Sequence, residues 1–203
     1  MIAIIDYGMG NIHSVKKALE SQGAKTRIVS KPGEFRSADK VVLPGVGAFS
    51  DAMRQLRRSG IGQALDEHIK KGGVLLGICL GMQMLFEKSR EAGDVKGLAV
   101  LKGRVEKFID MNGLKVPHIG WNKLDIIDKG CPLFKGLGSR EYAYFCHSYY
   151  AKAGDEDDVA SFTEYGINFA SAVYRENVYG VQFHPEKSQN TGLKILNNFI
   201  KLC

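Results

Sequence analysis

No stretch of this 203-residue chain approaches the roughly 18 consecutive apolar residues needed to cross a bilayer, so no membrane association is expected. The start, Met1-Ile2-Ala3-Ile4-Ile5-Asp6, has no basic region and meets an acid at once; it reads as a first strand rather than a signal peptide. Cysteine is also scarce. Cys79, Cys131, Cys146 and Cys203 are scattered with no Cys-x-x-Cys pair, which argues against a zinc knuckle and a disulfide framework and fits a reducing, cytoplasmic setting. Long charged runs are missing too. The net charge is +6, yet the basic residues fall in short groups such as Arg57-Arg58 and Lys70-Lys71, on helical stretches that need a solvated face. A nucleic-acid binder would carry a continuous basic stripe with aromatic residues between, and none is present. The dinucleotide fingerprint is incomplete, since Gly8-x-Gly10 lacks its third glycine, and no Gly-Lys-Ser/Thr occurs. No cofactor or metal is expected.

What is present is an alternation. Ile2 to Ile5, Thr26 to Ser30, Lys40 to Leu43 and Gly73 to Leu76 read as strands. Between them, Ile12-Val15-Leu19, Phe49-Ala52-Met53-Leu56 and about Gln63 to Lys71 read as helices. Such a pattern predicts a parallel sheet with helices on both faces, with ligands at the carboxyl ends of the strands. The turns Asp6–Asn11 and Pro44–Gly47 and the residue Cys79 all follow strands and should line one edge. Asn11 is expected to cap the first helix. The second half changes to short β-like runs: Leu98 to Leu101, Arg104 to Phe108, Asn122 to Ile126, Glu141 to Tyr149, and a hairpin from Ala170 to Phe183 turning at Glu176-Asn177. Asp155-Glu156-Asp157-Asp158 reads as a solvated acidic loop. Leu193, Leu196, Phe199 and Ile200 mark a closing amphipathic helix. With no repeat and no linker-like segment, residues 1–203 read as one α/β domain: a mostly parallel open sheet plus a smaller antiparallel portion.

The chemistry gathers at Gly77-Ile78-Cys79-Leu80-Gly81-Met82-Gln83. A Gly-x-Cys-x-Gly run between a strand and a helix, the helix read as starting over Gly81-Met82-Gln83-Met84-Leu85-Phe86, is the thiol version of a nucleophile elbow. The sharp turn holds the nucleophile in a strained backbone, and the flanking glycines leave room for it. The thiol would sit at a helix N-terminus, which favours thiolate, and the Leu80 N–H is placed to donate to an oxyanion. The alternative is that Cys79 is a small buried hydrophobe in a plain strand–helix turn. Further on, His184-Pro185-Glu186 supplies a base and an orienter. Proline keeps His184 extended, and residues two apart in an extended chain leave on one side. The alternative there is a strand end with a solvated Glu186. His147, in an aromatic strand, reads as structural or as a substrate-loop residue.

Taken together, Gly-Ile-Cys-Leu-Gly-Met-Gln and the distant His-Pro-Glu resemble the class I, triad-type glutamine amidotransferases. Asp6-Tyr7-Gly8-Met9-Gly10-Asn11, Pro44-Gly45-Val46-Gly47-Ala48-Phe49, His118-Ile119-Gly120-Trp121-Asn122 and His147-Ser148-Tyr149 resemble the glutaminase subunits of imidazole glycerol phosphate synthases. The resemblance spans the chain from its first strand to its last helix. It implies Cys79 as nucleophile, His184 as base and acid, and Glu186 as orienter. It also implies an oxyanion hole from Leu80 and the Val46–Gly47 loop, and glutamine held by Gln83, Ser148, Tyr149 and the Gly47 backbone. The ammonia would pass to a (β/α)8-barrel cyclase subunit in a heterodimer serving histidine biosynthesis. Lys187, directly after Glu186, is a candidate contact to an acidic group of that partner. Two rivals stand beside this reading: another ammonia-consuming synthase or free thiol hydrolase, and a non-catalytic subunit that keeps the elbow as scaffold.

Overall fold

The computed structural model describes residues 1–35, 37–109, 113–128, 130–138 and 140–203. In chain order the elements are β1 (Ile2–Ile5), α1 (Ile12–Ser21), β2 (Thr26–Val29), β3 (Lys40–Gly45), α2 (Phe49–Arg58), α3 (Ile61–Lys70), β4 (Val74–Cys79) and α4 (Leu80–Gln83). There follow β5 (Phe86–Ser89), β6 (Val95–Lys96), β7 (Leu101–Lys107), β8 (His118–Ile126), β9 (Glu141–His147) and β10 (Tyr149–Ala153). The chain closes with β11 (Val159–Glu164), β12 (Asn168–Arg175), β13 (Val178–Val181) and α5 (Gln189–Leu202).

A nine-stranded sheet runs β2-β1-β3-β4-β13-β12-β11-β8-β9. Its first five strands pair in parallel and the rest are antiparallel. The antiparallel part therefore extends the parallel sheet, and a second sheet, β10-β7-β5-β6, is smaller. Strand periodicity divides the apolar residues between two cores. Ile2, Ile4, Val42, Leu76 and Ile78 face one side with Val15 and Leu19 of α1 and Leu196 and Phe199 of α5. Ala3, Ile5, Val41, Leu43 and Leu75 face the other with Ala52 and Leu56 of α2 and Leu65 of α3. Helices thus cover both faces, as the alternation requires. Lys40 at the start of β3 donates to the Phe199 and Ile200 carbonyls at 2.8 and 2.7 Å, capping the C-terminal end of α5.

Four local expectations need correction. The helix after Cys79 is a single turn ending at Gln83, and Phe86 opens a strand. Leu98 to Val100 lie outside any strand, with β7 beginning at Leu101. Both differences have one cause: the Met84, Leu85 and Phe86 carbonyls accept from the Leu98, Val100 and Ala99 N–H groups instead of continuing a helical ladder. Asn11 occupies the cap position of α1 but its side chain makes no capping bond. The acidic loop is not merely solvated. Arg175 reaches Asp158 at 2.7 Å and Asp155 at 3.1 Å, and burial of Asp158 raises its pKa despite that partner.

The turn after β4 is held by contacts that only glycine permits. A Cβ at Gly81 would lie 1.8 Å from the Leu43 carbonyl oxygen, and one at Gly77 would lie 2.7 Å from the Gly81 oxygen. Gly81→Ala is therefore expected to destabilise the protein by more than about 3 kcal/mol, because backbone must move to admit the methyl. Gly33→Ala, at a site with open space around it, should change stability by less than about 0.5 kcal/mol. Urea denaturation of both variants checks this; equal midpoints would refute it.

Candidate active site

β3, β4 and β13 are adjacent parallel strands, and their carboxyl ends bring three segments together. Gly45 pairs with Cys79 in register, and β13 leads through Gln182 and Phe183 to His184. At the elbow Cys79 has φ 55° and ψ −111°, a strained combination for a residue with a side chain. The strain is imposed by the close backbone packing of Gly77 and Gly81 on either side. The α4 turn that follows leaves the Leu80 N–H without an intrahelical partner.

His184 stays extended, at φ −100° and ψ 97°, but the next three residues, Pro185–Lys187, form a 3-10 turn. The Glu186 carboxylate comes within 2.9 Å of His184 Nδ1 by that turn rather than by an extended strand. The pairing matches the sequence reading; its geometric reason differs. Glu186 is buried, not solvated, its side chain only 1% exposed. Ser188 clamps the segment: its hydroxyl donates to the His184 carbonyl at 2.7 Å and accepts from the Tyr144 N–H at 2.9 Å, while His184 N–H donates to the Tyr144 carbonyl at 2.9 Å.

A cavity of about 350 Å³ opens over Cys79. It is lined by Val46, Gly47, Leu80, Gln83, Ser148, Tyr149, His184 and Lys187 among others, so every site residue picked from sequence lines it or, like Glu186, backs it. A cavity of about 540 Å³ at Phe35, His68 and Gly73, beside the start of β4, brings together no nucleophile–base pair among the described residues. Gln83 donates its amide nitrogen to the Tyr149 carbonyl and to Gln182 Oε1, both at 2.9 Å. Gln182, fully buried, donates in turn toward Cys79 Sγ at 3.6 Å. Sequence reasoning missed Gln182, Ser188 and the buried Tyr7, whose hydroxyl crowds the position a Gly45 Cβ would take and has no hydrogen-bond partner among the described residues. Gln182 stands two residues before His184 in the segment that follows β13, and that spacing was the available signal.

Burial disfavours protonation of His184, but the Cys79 sulfur and the Glu186 carboxylate outweigh it and push the imidazole up to about 10. Among the described residues no cluster of metal-ligating side chains occurs, and no helix is long and apolar enough to cross a membrane. A thiol beside a carboxylate-oriented imidazole, at the start of a helical turn, is equipped for acyl transfer.

The family model for class I glutamine amidotransferases matches residues 3–203, and the chain belongs to that family. Among curated relatives, the imidazole glycerol phosphate synthase subunit HisH of Caldanaerobacter subterraneus subsp. tengcongensis is 49% identical, covering 98% of this chain and 97% of that protein. The subunit of the same name from Syntrophotalea carbinolica is 50% identical, covering 98% of each. Among solved structures, PurLQS from Thermotoga maritima superposes with a TM-score of 0.79 at 19% identity, covering 98% of this chain and 96% of that one. A glutamine amidotransferase crystal structure gives 0.76 at 20% identity, covering 98% and 99%. These two likenesses concern the fold.

The raised pKa of His184 carries a sign for stability. A group raised from an unfolded value of 6.5 stabilises the fold fully below that value and loses the contribution as pH climbs toward about 10. Glu186→Gln weakens the pairing, so its destabilisation relative to wild type should be largest near pH 6 and shrink at the alkaline end. Denaturation series across pH measure this; a difference independent of pH would contradict it.

Proposed function

We propose that this chain is the glutaminase subunit of an imidazole glycerol phosphate synthase. It hydrolyses glutamine and delivers the ammonia to a (β/α)8-barrel cyclase partner in the cytoplasm, within histidine biosynthesis, and acts as one domain over residues 1–203. The observation that carries the reading is a strained Cys79 sharing one cavity with a His184–Glu186 pair at 2.9 Å. The near-full-length identity to subunits bearing that name supports the pathway.

In the proposed reaction His184 accepts the Cys79 proton while Glu186 holds the ring by its Nδ1–H. The sulfur attacks the carboxamide carbon of glutamine, and the developing oxyanion accepts from the Leu80 N–H and from a peptide of the Val46–Gly47 loop. His184 then gives the proton to the leaving nitrogen, releasing ammonia and a γ-glutamyl thioester. Water, deprotonated by His184, attacks the thioester; the thiolate leaves and regains its proton as glutamate departs. Gln83, Ser148 and Tyr149 hold the substrate. Because the amide nitrogen of Gln83 is already bonded to Tyr149 and Gln182, its carbonyl oxygen is the group it offers to glutamine.

Gly47, at φ 94°, gives the oxyanion loop a backbone freedom that other residues lack. One such donor is worth about 10²–10³ in rate, enough for a partner to switch turnover through this loop. Val46 at the cavity is exposed, as are Ile119 and Trp121 on β8 and Tyr142 on β9, and Lys187 lies over the Tyr144 ring, which in turn meets Trp121 edge-on. These exposed apolar side chains with one cation support a docked partner carrying an acidic group.

Cys79→Ala should abolish glutamine-dependent synthesis by the complex while synthesis from added ammonia persists. Near wild-type glutamate release by this variant would sink the assignment. Lys187→Ala should blunt the stimulation of glutamate release when the cyclase and its nucleotide are added, leaving basal release intact; normal stimulation would remove Lys187 from the interface.

A further inference from the structure

His118 and His147 stand directly opposite one another on β8 and β9, both buried, and the reaction proposed above uses neither. His118 Nδ1 lies 3.0 Å from His147 Nε2, His147 Nδ1 lies 2.8 Å from the Tyr149 carbonyl, and Asn122 Nδ2 lies 3.3 Å from His118 Nε2. The proton positions follow by elimination. A carbonyl oxygen only accepts, so His147 must carry its proton on Nδ1. In the neutral ring its Nε2 is then an acceptor, so His118 also carries its proton on Nδ1. His118 Nε2 accepts in turn from the Asn122 amide, whose nitrogen also donates to the Glu164 carbonyl at 2.8 Å. The chain Asn122, His118, His147, Tyr149 thus runs in one direction with no donor or acceptor stranded.

Tyr149 is the end that matters. Its carbonyl receives the His147 N–H and, at 2.9 Å, the Gln83 amide as well. Ser148 and Tyr149 line the cavity over Cys79, in the step between β9 and β10. Resting on the glutaminase reading, we propose that the His118–His147 pair is a positioning device: it fixes the Ser148–Tyr149 segment through the Tyr149 carbonyl and so sets glutamine affinity, without moving protons. The surroundings agree. Tyr165 and Phe145 stack on His118 with centroids at 4.0 and 4.8 Å, and Phe169 and Phe108 pack on His147 at 5.2 and 5.3 Å. Burial in this aromatic cage pushes His118 down to about 4 and His147 down to about 3, so both rings stay neutral where the enzyme works. His147 is thereby separated in role from His184, which has a carboxylate beside it.

The test compares two replacements of one ring in the complex with the cyclase. His147→Leu removes the donor to Tyr149, whereas the amide of His147→Asn overlays Nδ1 and keeps it. His147→Leu is expected to raise KM for glutamine about tenfold or more, the effect of stranding one buried acceptor, with kcat changed less than about threefold. His147→Asn should bring KM back to within about threefold of wild type. A folded Leu variant with unchanged KM, a loss confined to kcat, or an Asn variant no better than Leu would overturn the proposal. Nitrogen NMR of the wild-type histidines stands independently of any variant's folding. Both rings should show the Nδ1–H tautomer and no titration between about pH 5.5 and 8.5, and an Nε2–H tautomer on either ring would refute the chain. Absence of glutamate release by the wild-type complex would instead count against the glutaminase reading, with the tautomers still measurable.

Discussion

The approach of two backbones at Leu43 and Gly81 sets the geometry on which the site depends. β3 and the turn after β4 lie so close that a single methyl at Gly81 would overlap the Leu43 oxygen, and Gly77 is pressed on the same turn from the other side. With the chain pinched at both glycines, Cys79 between them is left the conformation at φ 55°. Relaxing it would unpack Leu43 of β3 from Gly81 of α4, both buried. The strain at one residue is therefore held by contacts of two others, which is how a costly backbone conformation persists in a folded protein. The cost falls on the residue whose sulfur must stand clear of the strand.

The parallel strands supply the sulfur and the imidazole, while the antiparallel half supplies what holds the imidazole and the facing wall. Ser188 ties the His184 turn to Tyr144 of β9, and Tyr149 at the head of β10 gathers bonds from Gln83 and His147. Gln182 joins the two halves, accepting from Gln83 and donating toward Cys79. A displacement of β9 would act on the base through Ser188 and on the substrate wall through Ser148 at once. One continuous sheet runs from β2 in the parallel half to β9 in the antiparallel half.

Much of this could be read from residue order alone. The continuous apolar runs of β1, β3 and β4 and the glycine-flanked cysteine depend on local sterics, which sequence records directly. The partnership of His184 and Glu186 was legible for a related reason, since both lie within one short segment. Its geometry was not, because a 3-10 turn after proline and an extended strand carry the same letters. The single-turn α4 was hidden for a different reason. Met84-Leu85-Phe86 has helical apolar spacing, but its carbonyls are claimed by Leu98 to Val100, a contact between segments that no local pattern displays. The bond from Gln182 to Gln83 and the meeting of His118 with His147 were out of reach likewise, since strand register decides them.

Two buried histidines near one cavity have pKa values shifted in opposite directions, and their neighbours account for it. His184 has the Glu186 carboxylate on one nitrogen and the Cys79 sulfur at its side, and these raise its proton affinity against the cost of burial. His147 has a carbonyl on one nitrogen, a neutral imidazole on the other and aromatic rings around it, so burial outweighs the raising contact with the Tyr149 carbonyl and the ring is driven neutral. In the proposed reading the same side chain thus serves as a proton carrier where a carboxylate faces it and as a fixed donor where a carbonyl dipole does. The assignment of acid–base work to His184 does not rest on its motif alone: at His147 the environment removes the charge state that such work would need.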